Sequence, residues 1–340
     1  MTASLIAGLS GIAMTDDERR FYRDVQPAGV ILFARNVADR DQLKRLVDEA
    51  RDAVGRQDFL VLIDQEGGRV QRLRPPIARS LPPAAVYAAL YAQDPERAIR
   101  AAFAVARLTG EELRAFGITM NCAPVADLPV DGSHEIISDR AYGSTVAEVV
   151  ALAEAVAEGY LASGVVPVVK HIPGHGRATA DSHLSLPVVS TSRQTLSETD
   201  FAPFKALAGL PAAMTAHVVY STIDAANPAS TSAIVTREII RGEIGFDNLL
   251  MSDDLSMKAL SGPMRARAEA VIAAGSDLAL HCNGDLDEMR AAAEGVPALE
   301  GRAAERFAAA CSCISRIEPY HKEEALQLLA GLQGQQTPAV

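Results

Sequence analysis

The chain of 340 residues is 49% hydrophobic and 22% charged, so one large domain can bury a core without disulfides or a structural metal. Its 32 Lys and Arg against 43 Asp and Glu leave a formal net charge of −11 and a pI of about 5.2, which repels phosphate backbones and anionic lipid and excludes nucleic acid and membrane surfaces as partners. No run of 18 apolar residues offers a membrane-crossing helix, and no Lys or Arg precedes the apolar start as in a secretory signal, so the cytoplasm is the expected compartment.

In chain order, short apolar and β-branched runs predict strands at 4–7, 29–33, 59–63, 118–123, 166–170, 212–217, 249–252 and 277–282. Several are continuously apolar, as parallel strands covered on both faces should be. Helices are signalled between them. Thr15 with Glu18 and Thr145 with Glu148 fit capping boxes, and Asp94 followed by Pro95 fits an N-cap with proline in the first turn. Gly117, Gly164 and Gly245 stand where helices should stop. The stretch from Thr145 to Ser163 carries an apolar stripe of Val149, Val150, Leu152, Ala153 and Val156 for packing on a sheet. Eight strands alternating with helices predict a single-domain (β/α)8 TIM barrel over 1–320, followed by a C-terminal tail, 321–340, frayed from Gly331 onward. A doubly wound sheet competes, but no Gly-x-Gly-x-x-Gly opens a helix after the first strand. Cys122, Cys282, Cys311 and Cys313 are expected as thiols, with Cys122 packed inside the barrel.

In such a barrel the chemistry sits at the C-terminal ends of the strands. Polar clusters fall at those places. Asp64-Gln65-Glu66-Gly67-Gly68-Arg69 follows the third strand, and Asn121, Asp127 and Asp139-Arg140 belong to the fourth and its loop. Lys170-His171-Ile172-Pro173-Gly174-His175-Gly176 ends the fifth and leads to Asp181-Ser182-His183. His217 ends the sixth, and Ser252-Asp253-Asp254 the seventh. One of Asp253 and Asp254 should cap the next helix while the other faces the cavity. Gly174 and Gly176 suit a tight turn. Three other readings stay open on residues alone: Lys170-His171 as a strand-end pair satisfying loop carbonyls, a metal hydrolase holding its ion with His171, His175 and His183, and a sugar-binding protein without turnover. Pro173, Gly174 and Gly176 count against the helix that two metal-binding histidines four apart would need.

With these motifs the sequence resembles glycoside hydrolase family 3, and within it the bacterial single-domain β-N-acetylglucosaminidases of peptidoglycan recycling. The resemblance runs from about Ile6 to Asn283. Its stretches are Gly29 to Asn36, Asp64 to Leu73, Asp139 to Gly143, Lys170 to Gly176 with Asp181-Ser182-His183, and Ser252 to Met257. It implies Asp253 as nucleophile and His183, supported by Asp181, as acid/base. It implies Asp64, Arg72, Arg140, Lys170 and His171 as the sugar-binding groups. Ile172 departs from the pattern, which usually has Phe there, and should alter packing without removing a catalytic group. The implied activity is retaining hydrolysis of terminal β-linked N-acetylglucosamine from cell-wall fragments, with phosphorolysis by the same groups as the alternative. No cofactor or metal is expected. The expected partner is a small carbohydrate or glycopeptide substrate, and the expected state is a monomer.

Overall fold

In the computed structural model, which describes residues 1–130, 137–178 and 185–334, all eight expected strands pair in parallel and close into one barrel. They are Ala3–Gly8, Pro27–Leu32, Leu60–Ile63, Met120–Asn121, Val166–Ile172, Ala212–Thr215, Leu249–Asp254 and Leu278–His281. Each is paired to its successor, and the last returns to the first through Leu5 opposite Ala279. The chirality of strand–helix–strand crossovers leaves this wrapping as the simplest closed arrangement for a β/α alternation.

Alternation along each strand divides the core in two. Leu60 and Leu62 of the third strand point into the barrel with Ile31, Met120, Val168 and Met251. Val61 and Ile63 point outward to the helices with Val30, Leu32, Leu46 and Leu152. Burying each such side chain contributes about 1.5–3 kcal/mol. Phe307 and Ala310 of the helix Gly301–Ser312 join the interior cluster. Leu299, just before that helix, donates its N–H to the carbonyl of Thr2, which places the helix at the N-terminal end of the barrel. The opposite end stays open.

The helix boundaries follow local chemistry. Thr15 accepts from the Glu18 N–H while the Glu18 carboxylate accepts from the Thr15 N–H, and Thr145 and Glu148 repeat the exchange. Asp94 caps Pro95–Ala115. Gly164 ends Val146–Ser163 at φ 74, and Gly117 and Gly245 both take φ 78 just past their helices. The segment before Gly245, Val235–Glu243, is wound as a π-helix.

Three expectations need correction. The fourth strand is regular only at Met120–Asn121, shorter than 118–123, because Thr119 bonds the Val61 N–H through its hydroxyl and Pro124 has no N–H to extend the ladder. The tail expected from 321 opens instead with the helix Lys322–Gln333, whose Ala325, Leu329 and Leu332 are buried, and which packs on Pro95–Ala115. Gly331 lies inside that helix, not at the start of a frayed end. Two small sheets also appear. One is a hairpin of Gln65–Gly67 and Val70–Gln71, and the other pairs Val188–Val189 with Val219–Tyr220. The four cysteines are free, and Cys122 and Cys282 are buried in the barrel. Among the described residues no helix is long and apolar enough to cross a membrane.

Candidate active site

The two-residue period that turns Leu60 and Leu62 inward continues to Asp64. In the same way Val166 and Val168 lead to Lys170, and Leu249 and Met251 lead to Asp253. The barrel thus exchanges apolar for charged side chains at its C-terminal end. There a cavity of about 240 Å3 opens, floored by Ile31, Met214, Leu280 and Cys282. Asp64, Arg72, Arg140, Lys170, His171 and Asp253 all line it, so the structure brings together six of the eight site residues expected from sequence. Asp181 and His183 lie outside the described residues.

The charged wall is a network. The Lys170 ammonium donates to Asp64 Oδ1 at 2.8 Å and to Glu66 Oε1 at 2.6 Å. Arg140 meets Glu66 through Nε and Nη2, both at 2.8 Å, a fork geometry that matches a carboxylate. Arg72 Nη2 donates to Asp64 Oδ2 at 2.9 Å, and its guanidinium lies 5.0 Å from the Phe33 ring centre. Burial pushes the Asp64 carboxyl up, but the Lys170 ammonium and the Arg72 guanidinium overcome it and hold the group well below the usual carboxylate range. Glu66 is likewise pushed up by burial and brought down to about 2 by Arg140 and Lys170. Burial disfavours the Lys170 ammonium, yet Asp64 and Glu66 keep it above the ordinary lysine value. All members of the wall are therefore ionised and already oriented near neutral pH.

Local folding places these groups. The buried Gln65 amide accepts from the Arg72 and Leu73 N–H groups and donates to the Leu73 carbonyl, closing the loop that carries Asp64, Glu66 and Arg72. Its backbone is bonded on both sides by Asn121. Gly67, at φ 119, turns the hairpin, and a Cβ there would lie 2.3 Å from the Pro82 carbonyl oxygen.

Asp127 organises the other side. Its fully buried carboxylate accepts His171 Nδ1–H at 2.6 Å, the His171 N–H at 3.1 Å and the His175 N–H at 2.7 Å. Burial raises this carboxyl, and His171 more than offsets it, so the group titrates below the usual range. His175 is brought down to about 4 by burial and by His171, whose ring centre is 5.6 Å away. The two histidines share no helix. Gly174 turns the chain at φ 140, and a Cβ on Gly176 would stand 1.8 Å from the Leu128 carbonyl oxygen. Ile172 is fully buried in the layer between strands and helices, so the departure there concerns packing alone.

At the seventh strand, Asp253 Oδ1 accepts the N–H of Asp254 at 2.8 Å. Asp254 Oδ1 accepts from the Ser256 and Cys282 N–H groups, both at 3.0 Å, and its second oxygen takes the Ser256 hydroxyl. It ties the seventh strand to the eighth. The expectation that one of the two aspartates caps a helix is corrected here, because the next helix, Met264–Ala273, begins later with Pro263 at its N-cap. Both aspartates line the cavity. His217 is buried, which lowers its proton affinity, and its ring bonds the Asp254 carbonyl at 3.0 Å and the Ser230 hydroxyl at 2.7 Å. A neutral ring donating from Nε2 and accepting at Nδ1 satisfies both.

Sequence reasoning placed Glu66 and Asp127 in the polar clusters at the strand ends but gave neither a role. Glu66 carried a signal, since it sits two residues from Asp64 on the same face of an extended segment. Asp127 carried none beyond its place after the fourth strand, because its partners lie 44 and 48 residues further on.

The family profile for the Glycosyl hydrolase family 3 N terminal domain matches residues 3–317. The chain is 42% identical over 283 residues to a beta-hexosaminidase of Alkalilimnicola ehrlichii, covering 82% of this chain and 80% of that protein. It is 41% identical over 319 residues to a beta-hexosaminidase of Methylococcus capsulatus, covering 91% and 92%. Among solved structures, NagZ from Neisseria gonorrhoeae in complex with N-trifluoroacetyl-D-glucosamine superposes with a TM-score of 0.88 at 31% identity, covering 98% of this chain and 99% of that one.

Proposed function

The chain belongs to glycosyl hydrolase family 3, and from that premise we propose that it is a retaining exo-acting β-N-acetylhexosaminidase that removes terminal non-reducing β-linked N-acetylglucosamine from cell-wall fragments. The beta-hexosaminidase relatives support the reaction class, and the sugar analogue held by the neisserial neighbour supports an N-acylated glucosamine in the cavity. The observation that carries the reading is the position of Asp253. It stands at the inward end of the seventh strand, on the wall of the same cavity as the ionised Asp64, Lys170, Glu66 and Arg140.

In this reading the Asp253 carboxylate attacks the anomeric carbon and forms a glycosyl ester, while His183 gives a proton to the departing glycosidic oxygen. His183, then neutral, takes a proton from water, whose oxygen displaces Asp253 and restores the enzyme. Asp181 pairs with the imidazolium and so favours the charged acid. The roles of Asp181 and His183 rest on the Asp-Ser-His motif. Asp64 accepts from sugar hydroxyls, and Arg72, Arg140, Lys170 and His171 bond the remaining oxygens of a terminal residue.

Three measurements test the proposal. A 2-fluoro glycosyl inactivator should label Asp253, and Asp253→Asn should abolish labelling and lower turnover by several orders of magnitude. A label on Asp254 with Asp253 untouched would sink the assignment. His183→Ala should slow substrates with poor leaving groups far more than activated aryl glycosides, because only the former need a proton. Equal losses on both would remove His183 from proton transfer. Aryl β-N-acetylglucosaminides should be cleaved much faster than aryl β-glucosides. Release of free sugar whether or not phosphate is present selects hydrolysis, whereas a sugar 1-phosphate in phosphate buffer would select phosphorolysis.

A further inference from the structure

We propose that Asp127 is a positioning residue for the reaction: it keeps the proton of His171 on Nδ1 and thereby turns the Nε2 atom of that ring to the sugar. The hydrogen bonds carry the argument. Asp127 Oδ1 is taken by two backbone N–H groups, those of His171 at 3.1 Å and His175 at 2.7 Å. Oδ2 remains for the ring, with Nδ1 at 2.6 Å. An ionised carboxylate has no hydrogen to give, so the proton in this contact belongs to Nδ1. The hydrogen bonds from the His171 ring and the two backbone N–H groups hold the buried Asp127 carboxyl in its ionised form.

The orientation of the ring follows. Asp127 has no exposure to solvent, whereas the His171 side chain is 9% exposed and lines the cavity. With Nδ1 turned to the closed side, the opposite edge, which carries Nε2, is the one that opens on the sugar. In the tautomer so set, Nε2 presents a lone pair among the cationic donors Lys170, Arg140 and Arg72, so one sugar hydroxyl can donate where its neighbours must accept. Asp127 also binds the first and fifth residues of the run from His171 to His175, fixing the root of the loop that leads toward residues 181–183. The tautomer can be set this way because the carboxylate comes from the loop after the fourth strand and the ring from the end of the fifth, neighbours in the barrel.

Asp127→Asn is nearly isosteric. Its amide oxygen can keep the two backbone bonds while its NH2 group faces Nδ1, which forces the proton to Nε2 and removes the lone pair from the cavity. The test is 15N NMR of histidine-labelled protein combined with kinetics on an aryl β-N-acetylglucosaminide. The wild type should show His171 protonated at Nδ1, and Asp127→Asn should show it protonated at Nε2 alone. kcat/KM should fall about 10- to 100-fold, the value of one charge-assisted hydrogen bond. In a His171→Gln background the same replacement should change kcat/KM less than about threefold, because the residue through which Asp127 acts is gone. A wild-type spectrum with the proton on Nε2 alone overturns the proposal without any variant. So does an undiminished cost of Asp127→Asn in the His171→Gln background. The kinetic arm rests on the hydrolase reading and the spectroscopic arm does not. Absence of turnover in the wild type would therefore count against the function and leave the tautomer assignment to the spectra.

Discussion

Replacing Glu66 by Gln isolates the buried charge network. Among the described residues of the wild type, the carboxylates of Asp64 and Glu66 pair with Lys170, Arg140 and Arg72. The variant removes the carboxylate that Arg140 and Lys170 share, and the Glu66 and Arg140 side chains are each only 9% exposed. Two routes give the magnitude. Glu66 titrates near 4.5 in an unfolded chain and at about 2 in the fold, a difference that contributes about 3 kcal/mol at neutral pH. Breaking a buried ion pair from one side costs about 3–5 kcal/mol on general grounds. With an unfolding entropy of about 2.1 cal/mol/K per residue, a chain of this length loses roughly 4–7 °C in Tm. The folded-state value is depressed, so the contribution is complete above pH 4.5 and disappears as pH falls from there toward 2. Thermal unfolding of both proteins from pH 7 to pH 3 should show a gap that is full at neutrality and narrows to about half by pH 3. An equal Tm at pH 7, or a gap that stays constant down to pH 3, would refute the account of Glu66 as an ionised partner of Arg140 and Lys170.

Two further outcomes follow from packing and titration. Gly110→Ala adds a Cβ 1.9 Å from Ser163 Oγ, where the helices Pro95–Ala115 and Val146–Ser163 meet, so it should destabilise by about 1–3 kcal/mol although alanine is the better helix former; a rise in the denaturant midpoint would contradict this close approach. His175 titrates at about 4 in the fold against 6.5 in the unfolded chain, so stability should fall as pH drops from 6.5 to 4, where only the unfolded chain takes the proton. His175→Asn should flatten that part of the wild-type stability–pH curve, and an unchanged slope would show that His175 is not held neutral.

Much of the candidate site was legible in the sequence because its main side chains obey short-range rules. The alternation that buries Leu62, Val168 and Met251 also points Asp64, Lys170 and Asp253 into the cavity, and two residues of chain suffice to read it. The caps at Thr15, Asp94 and Thr145 and the stops at Gly117, Gly164 and Gly245 are equally local, since each concerns one turn of backbone. Eight such strands divided by helices were enough to state the barrel. What stayed hidden depends on closure of that barrel. Arg140 reaches Glu66 across 74 positions, and Asp127 receives His171 across 44, so neither pairing leaves a period in the sequence. One of Asp253 and Asp254 was expected to cap a helix because an aspartate at a strand end commonly does; in the fold Asp254 takes the N–H groups of Ser256 and of Cys282, just past the adjoining eighth strand. The stretch 322–333 was assigned to a tail outside the barrel, yet its apolar side chains gain burial on a helix more than 200 positions earlier. Periodicity and capping are set by neighbouring residues and survive in the one-dimensional string. Ion pairing, tautomer and the burial of a terminal helix are set by surfaces that exist only once the eighth strand has met the first.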